Sequence, residues 1–206
     1  MYMRATAIRA PEITRRKILE AAFDEFYKNG FQGGSINRIV DQAGTTKGAL
    51  FHHFEAKNDL GYAVVEEIVY PQMKERWLDP LADSIDPIAA IKKAMREFAR
   101  EEEEENGLLI QGCPLNNLAQ EMAPLDEGFR RRLEKIYSAW RDAFEAAFAR
   151  GIKAGTVRKG ISPRKAAALI IAALEGIIGT AKNAQSMELL RQAGEGLFDY
   201  LDSLKP

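Results

Sequence analysis

Apolar residues recur three and four positions apart along almost the whole of this 206-residue chain. That spacing places them on one face of an α-helix, whereas a half-buried strand alternates apolar and polar residues. Alternation of that kind is almost absent. Glycine and proline interrupt the helical pattern at intervals, as at Gly30, Pro71, Pro87 and Gly155. The sequence therefore predicts an all-α fold, a series of amphipathic helices with no sheet.

The segment between Ser35 and Lys57 has the pattern of two short helices joined by a tight bend. Ser35 and Thr46 stand where a helix N-cap is expected, because a hydroxyl can accept from the free N–H groups of the first turn. Gly44 interrupts the pattern between them. The apolar stripe of the pair consists of Ile36, Ile39, Val40, Ala43, Leu50 and Phe54. This is the outline of a helix-turn-helix.

The second helix of the pair has an outward face that suits contact with DNA. A helix with its side chains is about 10–12 Å across, and the major groove is about 12 Å wide. Gly48 costs roughly 1 kcal/mol against Ala in an ordinary exposed helix, so a close approach to another molecule explains its presence. The outward residues are Thr46, Lys47, Gly48, Ala49, His52 and His53, with Phe51 at the flank. A surface helix pair without a ligand remains the alternative on spacing alone.

Residues 12–60 resemble the N-terminal domain of TetR-family transcriptional regulators. The resemblance is carried by TRRKILEAAFDEFYKNGF, SINRIVDQAG and TTKGALFHHFEAKNDL, in order and at matching spacing over about 45 positions. One departure is Phe51, where the family usually has a tyrosine whose hydroxyl would reach a phosphate. The resemblance implies an N-terminal three-helix DNA-binding domain, residues 1–57, with a basic arm at 1–13. It also implies a C-terminal helical domain, residues 58–206, for ligand binding and dimerisation.

In this interpretation each DNA contact has an expected role. Thr46 and Lys47 would read base edges, and Asn37 would reach toward bases or phosphate. Gly48 would allow close approach, and Phe51 would make apolar contact with a thymine methyl. The expected phosphate contacts are Arg16, Ser35, His52, His53 and Lys57.

The N-terminal segment is locally basic although the chain has a net charge of −1. Residues 1–17 contain Arg4, Arg9, Arg15, Arg16 and Lys17 against the single acid Glu12. Such a segment either follows a phosphate backbone, with salt-dependent binding, or is a solvated tail. Both interpretations remain open for Arg4 and Arg9.

Composition indicates a soluble protein of a reducing compartment. One cysteine, Cys113, excludes an internal disulfide. The chain shows no secretory leader and no uninterrupted apolar run of membrane-spanning length. We therefore expect a cytoplasmic protein without a membrane partner.

The second half of the chain contains a break at Gly112, Cys113 and Pro114, followed by two asparagines amid apolar residues. A buried asparagine needs partners, so either a polar ligand or a backbone-capping role accounts for Asn116 and Asn117. The stretch GCPLNNLAQEM resembles a segment that borders the ligand cavity in one TetR-family branch. The residues expected around an effector are Met73, Trp77, Phe98, Cys113, Asn116, Asn117, Tyr137, Trp140 and Phe144. Cys113 is either a small buried hydrophobe, the favoured interpretation, or a redox or electrophile sensor.

The last two predicted helices are too apolar for one small domain to cover, and exposed apolar patches usually mark partners. The family resemblance implies that they form a four-helix bundle with the same pair of a second subunit. The expected interface residues are Leu169, Ala173, Gly176, Ile177, Leu190, Leu197, Phe198 and Leu201.

The sequence contains none of the familiar catalytic motifs, such as G-x-S-x-G, H-E-x-x-H or a Cys-x-x-Cys pair. The five glutamates from Glu101 to Glu105 are expected to form a solvated run that frays before Gly107. We therefore predict no enzyme activity, no metal and no cofactor. The predicted partners are double-stranded DNA, a second copy of the chain and a small-molecule effector. The alternative is a helical ligand-binding or protein-interaction module that does not recognise DNA, which a salt titration of DNA binding would distinguish.

Overall fold

The computed structural model describes residues 10–106 and 111–206. Arg4 and Arg9 lie outside these ranges. The fraying expected before Gly107 is not observed, because α6 remains helical through the glutamate run to Asn106. Within them every regular element is a helix, as the periodicity predicted. The α-helices are α1 Ala10–Asn29, α2 Ile36–Gln42, α3 Lys47–His53, α4 Lys57–Val64, α5 Tyr70–Met73, α6 Pro87–Asn106, α7 Pro114–Met122, α8 Glu127–Ala154, α9 Pro163–Ala184 and α10 Met187–Asp202.

The first four helices form a compact unit around a shared apolar core. α1 packs against α2, α3 and α4. Ile18, Ala22, Ile39, Leu50 and Leu60 are completely buried between them. Burying each of the isoleucine and leucine side chains contributes about 1.5–3 kcal/mol, which holds the short helices α2 and α3 against α1.

A continuous helical segment runs from Lys57 to Leu81 and joins this unit to the rest of the molecule. We expected Pro71 to kink or break it. That expectation was wrong, because the segment passes through Pro71 with wider π-helical turns at Val65–Val69 and Lys74–Leu78. The N–H of Tyr70 reaches back to the carbonyl of Val65. Bonds of this longer span accommodate a residue that has no N–H to donate.

The C-terminal helices form a bundle in which α9 packs between α8 and α10. α6 packs against α10, and α7 lies on α8. Aromatic side chains fill the centre. The ring centroids of Trp77 and Trp140 are 5.4 Å apart, and those of Trp140 and Phe144 are 5.9 Å apart.

The N-terminal unit is seated on the start of α8. The Phe129 ring lies 4.7 Å from Phe31 and 4.9 Å from Tyr62, measured between centroids. A Cβ at Gly61 would come within 2.6 Å of both the Phe31 and the Phe129 rings, so only glycine permits this approach. The side chain of Asp126 also accepts from Asn58 and Tyr62 across the same contact.

α9 is long and apolar enough to span a membrane, with a mean hydropathy of 1.3 over its most apolar 18-residue window. Length and composition alone are weak evidence, because core helices of soluble proteins meet the same criterion. Only 44% of that window is buried within the subunit. More than half of that window is therefore not fully buried within the subunit, and Ala168, Leu169, Ala172 and Gly176 are exposed.

Candidate nucleic-acid interface and ligand groove

The helix-turn-helix has the two caps that the sequence predicted. The Ser35 hydroxyl accepts from the Arg38 N–H at the start of α2, and the Thr46 hydroxyl accepts from the Ala49 N–H at the start of α3. Gly44 takes a left-handed conformation with φ of 62° in the bend between them, a conformation that glycine adopts at little cost.

The outward face of α3 is free to meet a partner. Thr46, Lys47, Gly48 and His52 are exposed, and Phe51 keeps 44% of its surface in solvent. An exposed phenylalanine beside a lysine suits apolar contact within a groove. Asn37 is likewise exposed, on α2.

Gly48 has no internal reason to be glycine. The nearest atom that an added Cβ would meet is the Thr46 hydroxyl oxygen at 3.8 Å, an ordinary contact. Alanine would therefore fit and would favour the helix by about 1 kcal/mol. No contact among the described residues therefore requires glycine at this position.

Lys57 was predicted to contact phosphate, and the geometry assigns it another role. Its ammonium donates to the Gln32 carbonyl at 3.2 Å and to the Gly34 carbonyl at 2.6 Å. It also lies 4.9 Å from the centroid of the Phe31 ring. Lys57 therefore holds the turn between α1 and α2, and these bonds compete with its predicted contact to phosphate.

Glu25 and Arg38 stabilise the same turn and were missed from the sequence. The Glu25 carboxylate accepts from the Arg38 guanidinium and from the Ser35 N–H at 2.8 Å. These bonds, Arg38 first, hold the pKa of Glu25 below its usual value. An acid at an inward position of α1, one turn after Ala22, was the feature that could have predicted a buried ion pair.

The basic residues at the start of α1 divide into two groups. Arg15 makes two hydrogen bonds of 2.6 Å with Glu67, which tie α1 to the connecting segment. The Arg16 side chain is 81% exposed and, among the described residues, pairs with Glu20 on its own helix. Such a surface pair is worth less than about 1 kcal/mol, so Arg16 remains available to a phosphate.

The residues expected around an effector fall on two sides of α9. Trp77 and Phe98 line a cavity of ≈ 170 Å³ between α6, α9 and α10, with largely apolar walls. Asn116 and Tyr137 line an open groove of ≈ 850 Å³ between α7, α8 and α9. Met73, Trp140 and Phe144 are buried packing residues.

Asn117 has a protein partner for both its side-chain nitrogen and its side-chain oxygen. Its side-chain N–H donates to the Gln111 carbonyl, and its oxygen accepts from the Lys182 ammonium, both at 2.9 Å. Of the two roles considered for this residue, the structure favours backbone capping. Asn116 instead faces the groove, where its oxygen lies 3.3 Å from the Tyr137 hydroxyl.

Cys113 is buried immediately before α7. Burial raises the pKa of its thiol well above the usual value, and the neighbouring Glu175 acts in the same direction. A reactive cysteine needs access and a lowered pKa. The structure therefore favours the interpretation of Cys113 as a small buried hydrophobe.

The predicted dimer residues do not all face outward. Leu190, Leu197 and Leu201 keep at most 6% of their surface exposed, because they pack inside their own subunit. Including them in an interface was wrong; their inward positions on α10 fill the core. Leu169 is 53% exposed and Gly176 is exposed on α9, while Ala173, Ile177 and Phe198 are half-buried.

An exposed α3 with capped ends, mounted on a helical bundle with a ligand-sized groove, defines a helix-turn-helix DNA-binding protein. Comparison with known proteins supports this class. Residues 18–64 match the model for bacterial regulatory proteins of the tetR family. Residues 87–196 match the C-terminal domain of LmrA/YxaF-like transcriptional regulators. The chain belongs to the TetR family of transcriptional regulators, whose members are not enzymes.

Full-length relatives agree with the assignment. An uncharacterized HTH-type regulator of Lactococcus lactis is 30% identical over 91% of both chains. The HTH-type transcriptional repressor DhaR of a Mycobacterium species is 27% identical, again over 91% of both chains. A TetR regulator structure from Chloroflexus aurantiacus covers 95% of this chain and 97% of its own, with 27% identity and a TM-score of 0.81.

Proposed function

We propose that the protein is a dimeric, ligand-responsive repressor that binds a palindromic operator in the cytoplasm. The observation that carries the proposal is the outward face of α3, which combines exposed Thr46 and Lys47 with a glycine that nothing inside the subunit requires. Repression is supported by the Mycobacterium relative, which is a transcriptional repressor by name.

Base recognition would fall to the first turn of α3. Thr46 and Lys47 stand at its N-terminus, where their donors can reach base edges in the major groove. Asn37 would contact bases or phosphate from α2. Ser35, Arg16, His52 and His53 would contact phosphates, which sets register and affinity rather than sequence preference.

Two copies of this helix-turn-helix, related by a two-fold axis, require an operator with two-fold symmetry. In a symmetric dimer the two α3 helices enter successive major grooves on one side of the duplex, about 34–36 Å apart. The outward apolar face of α9 around Leu169 and Gly176 is the surface we assign to the contact between copies.

An effector would release the protein from DNA by changing the distance between the two α3 helices of the dimer. A ligand shifts this equilibrium only if it binds one arrangement more tightly than the other. The groove between α7, α8 and α9 adjoins both the proposed interface and α7, which contacts the N-terminal unit.

The test measures the affinity of two variants, Lys47→Ala and Arg16→Ala, for operator DNA and for a scrambled duplex of equal length. Lys47→Ala should remove most of the preference for the operator, whereas Arg16→Ala should weaken binding to both duplexes about equally. Affinity of the unaltered protein should fall steeply with log salt, and Arg16→Ala should reduce that slope by about 1. Unchanged operator preference in Lys47→Ala would show that α3 does not read the sequence.

A further inference from the structure

The cavity between α6, α9 and α10 lies on the opposite side of α9 from the face that we assign to the contact between copies. Its volume is ≈ 170 Å³. Leu174 and Ile178 line it, and they stand two residues before and two residues after Gly176. Because an α-helix completes a turn in about 3.6 residues, positions two apart point to nearly opposite sides. A molecule in this cavity therefore does not compete with a second copy for the face around Leu169 and Gly176.

The three aromatic rings in the wall of the cavity are each held by a neighbouring group. The Trp77 ring packs on the buried aromatic centre of the bundle. The Phe98 ring centroid lies 5.3 Å from the Arg76 guanidinium, and the Phe198 ring centroid lies 4.9 Å from the Lys92 ammonium. These contacts oppose collapse of the rings into the space between them. The atoms that line an empty apolar cavity lack packing partners on one side, so the cavity favours an occupant.

Gly194 contributes to the open space from the side of α10. It is buried within the helix and lines the cavity. An added Cβ would have one neighbour within 4 Å, the Cε of Met95 at 3.9 Å, which is an ordinary contact. Glycine is unfavourable inside a helix, and no contact among the described residues requires it here. A larger residue at this position would fill volume that glycine leaves free.

The described residues around the cavity present no buried polar atom that lacks a partner. Three buried side chains in the described part of the chain carry a nitrogen or oxygen without a hydrogen bond, and they belong to Arg132, Trp140 and Glu175. None of the three lines this cavity, whose walls are largely apolar. A ligand here would gain from the burial of its apolar surface rather than from hydrogen bonds.

The charged residues in the wall are exposed, and they offer little to a charged ligand. Arg191 forms an ion pair with Glu103. The Arg96 guanidinium lies 4.9 Å from the centroid of the Phe198 ring, and Glu195 adds the opposite charge to the same wall. An ionised ligand would lose its water on entering the apolar part of the cavity without meeting a buried counter-charge, which is costly.

We propose that this cavity binds a small uncharged aromatic molecule, a single ring with short apolar substituents. The proposal goes beyond the proposed function, because it assigns a ligand site that is separate from the groove between α7, α8 and α9. An apolar cavity of about 150 Å³ stays dry and binds benzene, so a volume of ≈ 170 Å³ admits one substituted ring. The rings of Trp77, Phe98 and Phe198 favour an aromatic occupant, because edge-to-face and offset ring pairs add to the effect of burial.

The position of Trp77 brings the occupant into contact with the segment that joins the two parts of the molecule. Trp77 belongs to the π-helical turn Lys74–Leu78 of the connecting segment. The same segment begins at Lys57, in the N-terminal unit. A molecule in the cavity would therefore act on the N-terminal unit to the extent that it binds one arrangement of this segment more tightly than another.

The experiment measures ligand binding by calorimetry on the full chain without DNA. The probes at pH 7 are toluene, protonated benzylamine and ionised benzoate, which share one ring and differ in charge. We expect toluene to bind at least tenfold more tightly than either charged probe. Gly194→Val should weaken toluene binding at least tenfold and raise the melting temperature of the free protein, because the added carbon atoms occupy the cavity. The control Ala149→Val, at an exposed position of α8 outside the cavity, should bind toluene as the unaltered chain does.

Three results would overturn the proposal. Absence of toluene binding would show that the protein itself or a second copy fills the cavity. Benzoate or benzylamine binding as tightly as toluene would assign the site to a charged ligand. Unchanged toluene affinity in Gly194→Val would place the bound toluene elsewhere, and the comparison of the three probes on the unaltered chain remains decisive if this variant does not fold. Because no DNA is present, each outcome is independent of operator recognition.

Discussion

Glu25 and Glu175 are the two acids buried among the described residues, and they differ in one respect. Glu25 has a guanidinium partner in Arg38, which lowers its pKa. Glu175 has no cation, and burial raises its pKa from 4.5 to about 7. The first therefore stabilises the fold as a carboxylate, and the second is a local cost whenever it is ionised.

This difference predicts an unusual pH dependence of stability. Between pH 4.5 and 7 the folded chain holds the Glu175 proton that the unfolded chain releases, so the free energy of unfolding falls as pH rises through that window. Raising the pKa of Glu175 from 4.5 to about 7 corresponds to a change on the order of 3 kcal/mol in the free energy of unfolding. Urea unfolding of the unaltered chain and of Glu175→Gln at pH 5 and pH 8 checks it.

The free energy of unfolding of Glu175→Gln, minus that of the unaltered chain, should be larger at pH 8 than at pH 5. Glu25, Glu67 and Asp126, whose pKa values are lowered, remain in both proteins and cancel from the comparison. A difference between the two proteins that does not change with pH would mean that Glu175 titrates normally in the fold.

Gly48→Ala should have opposite effects on stability and on DNA binding. Alanine fits the free subunit and favours the helix, so the free energy of unfolding should rise by about 0.5–1 kcal/mol. The added methyl would stand between α3 and the groove, so operator affinity should fall. Thermal unfolding and fluorescence anisotropy with a labelled operator measure the two effects. Unchanged affinity would remove close approach as the reason for glycine.

At the scale of elements, α7 connects the ligand groove to the N-terminal unit. Its Glu121 carboxylate accepts from the Phe31 and Gln32 N–H groups, both at 2.8 Å, in the turn between α1 and α2. Just before α7, the Gly112 carbonyl accepts from the Tyr27 hydroxyl at 2.6 Å. Asn116 on the same helix faces the groove. A shift of α7 would therefore act directly on the turn between α1 and α2.

Removing the Glu121 charge should loosen this connection. In Glu121→Gln one amide oxygen replaces two carboxylate acceptors, so the N–H groups of Phe31 and Gln32 should exchange with deuterium at least several-fold faster. The control is Glu127→Gln on α8, an exposed acid paired only with nearby Arg130 and Arg131. Identical exchange at the turn in both variants would show that Glu121 does not hold it.

At the scale of the whole molecule, the face of α9 around Leu169 determines whether two copies associate. A glutamate at the centre of an apolar interface leaves an uncompensated buried charge, which costs several kcal/mol. Leu169→Glu should therefore sediment as a monomer and lose most of its operator affinity. Leu125→Glu, at a leucine that is 63% exposed against 53% for Leu169, is the matched control and should remain a dimer. A dimeric Leu169→Glu protein would place the interface elsewhere.

The sequence alone determined the helical class, most helix boundaries and the outward face of α3. These features depend on local spacing and capping, as at Ser35, Thr46 and Gly155, where neighbours in sequence decide the outcome. The family resemblance then identified the kind of protein before any contact was known.

Only the tertiary structure decided which partner each polar group meets. Lys57 and Glu121 converge on one turn from positions 64 residues apart, and nothing local in the sequence predicts that. Leu190, Leu197 and Leu201 proved to be core because another helix of the same subunit covers them. Apolar periodicity identifies the face of a helix that is buried, but the assembled fold determines what buries it, and that distinction separates core from interface.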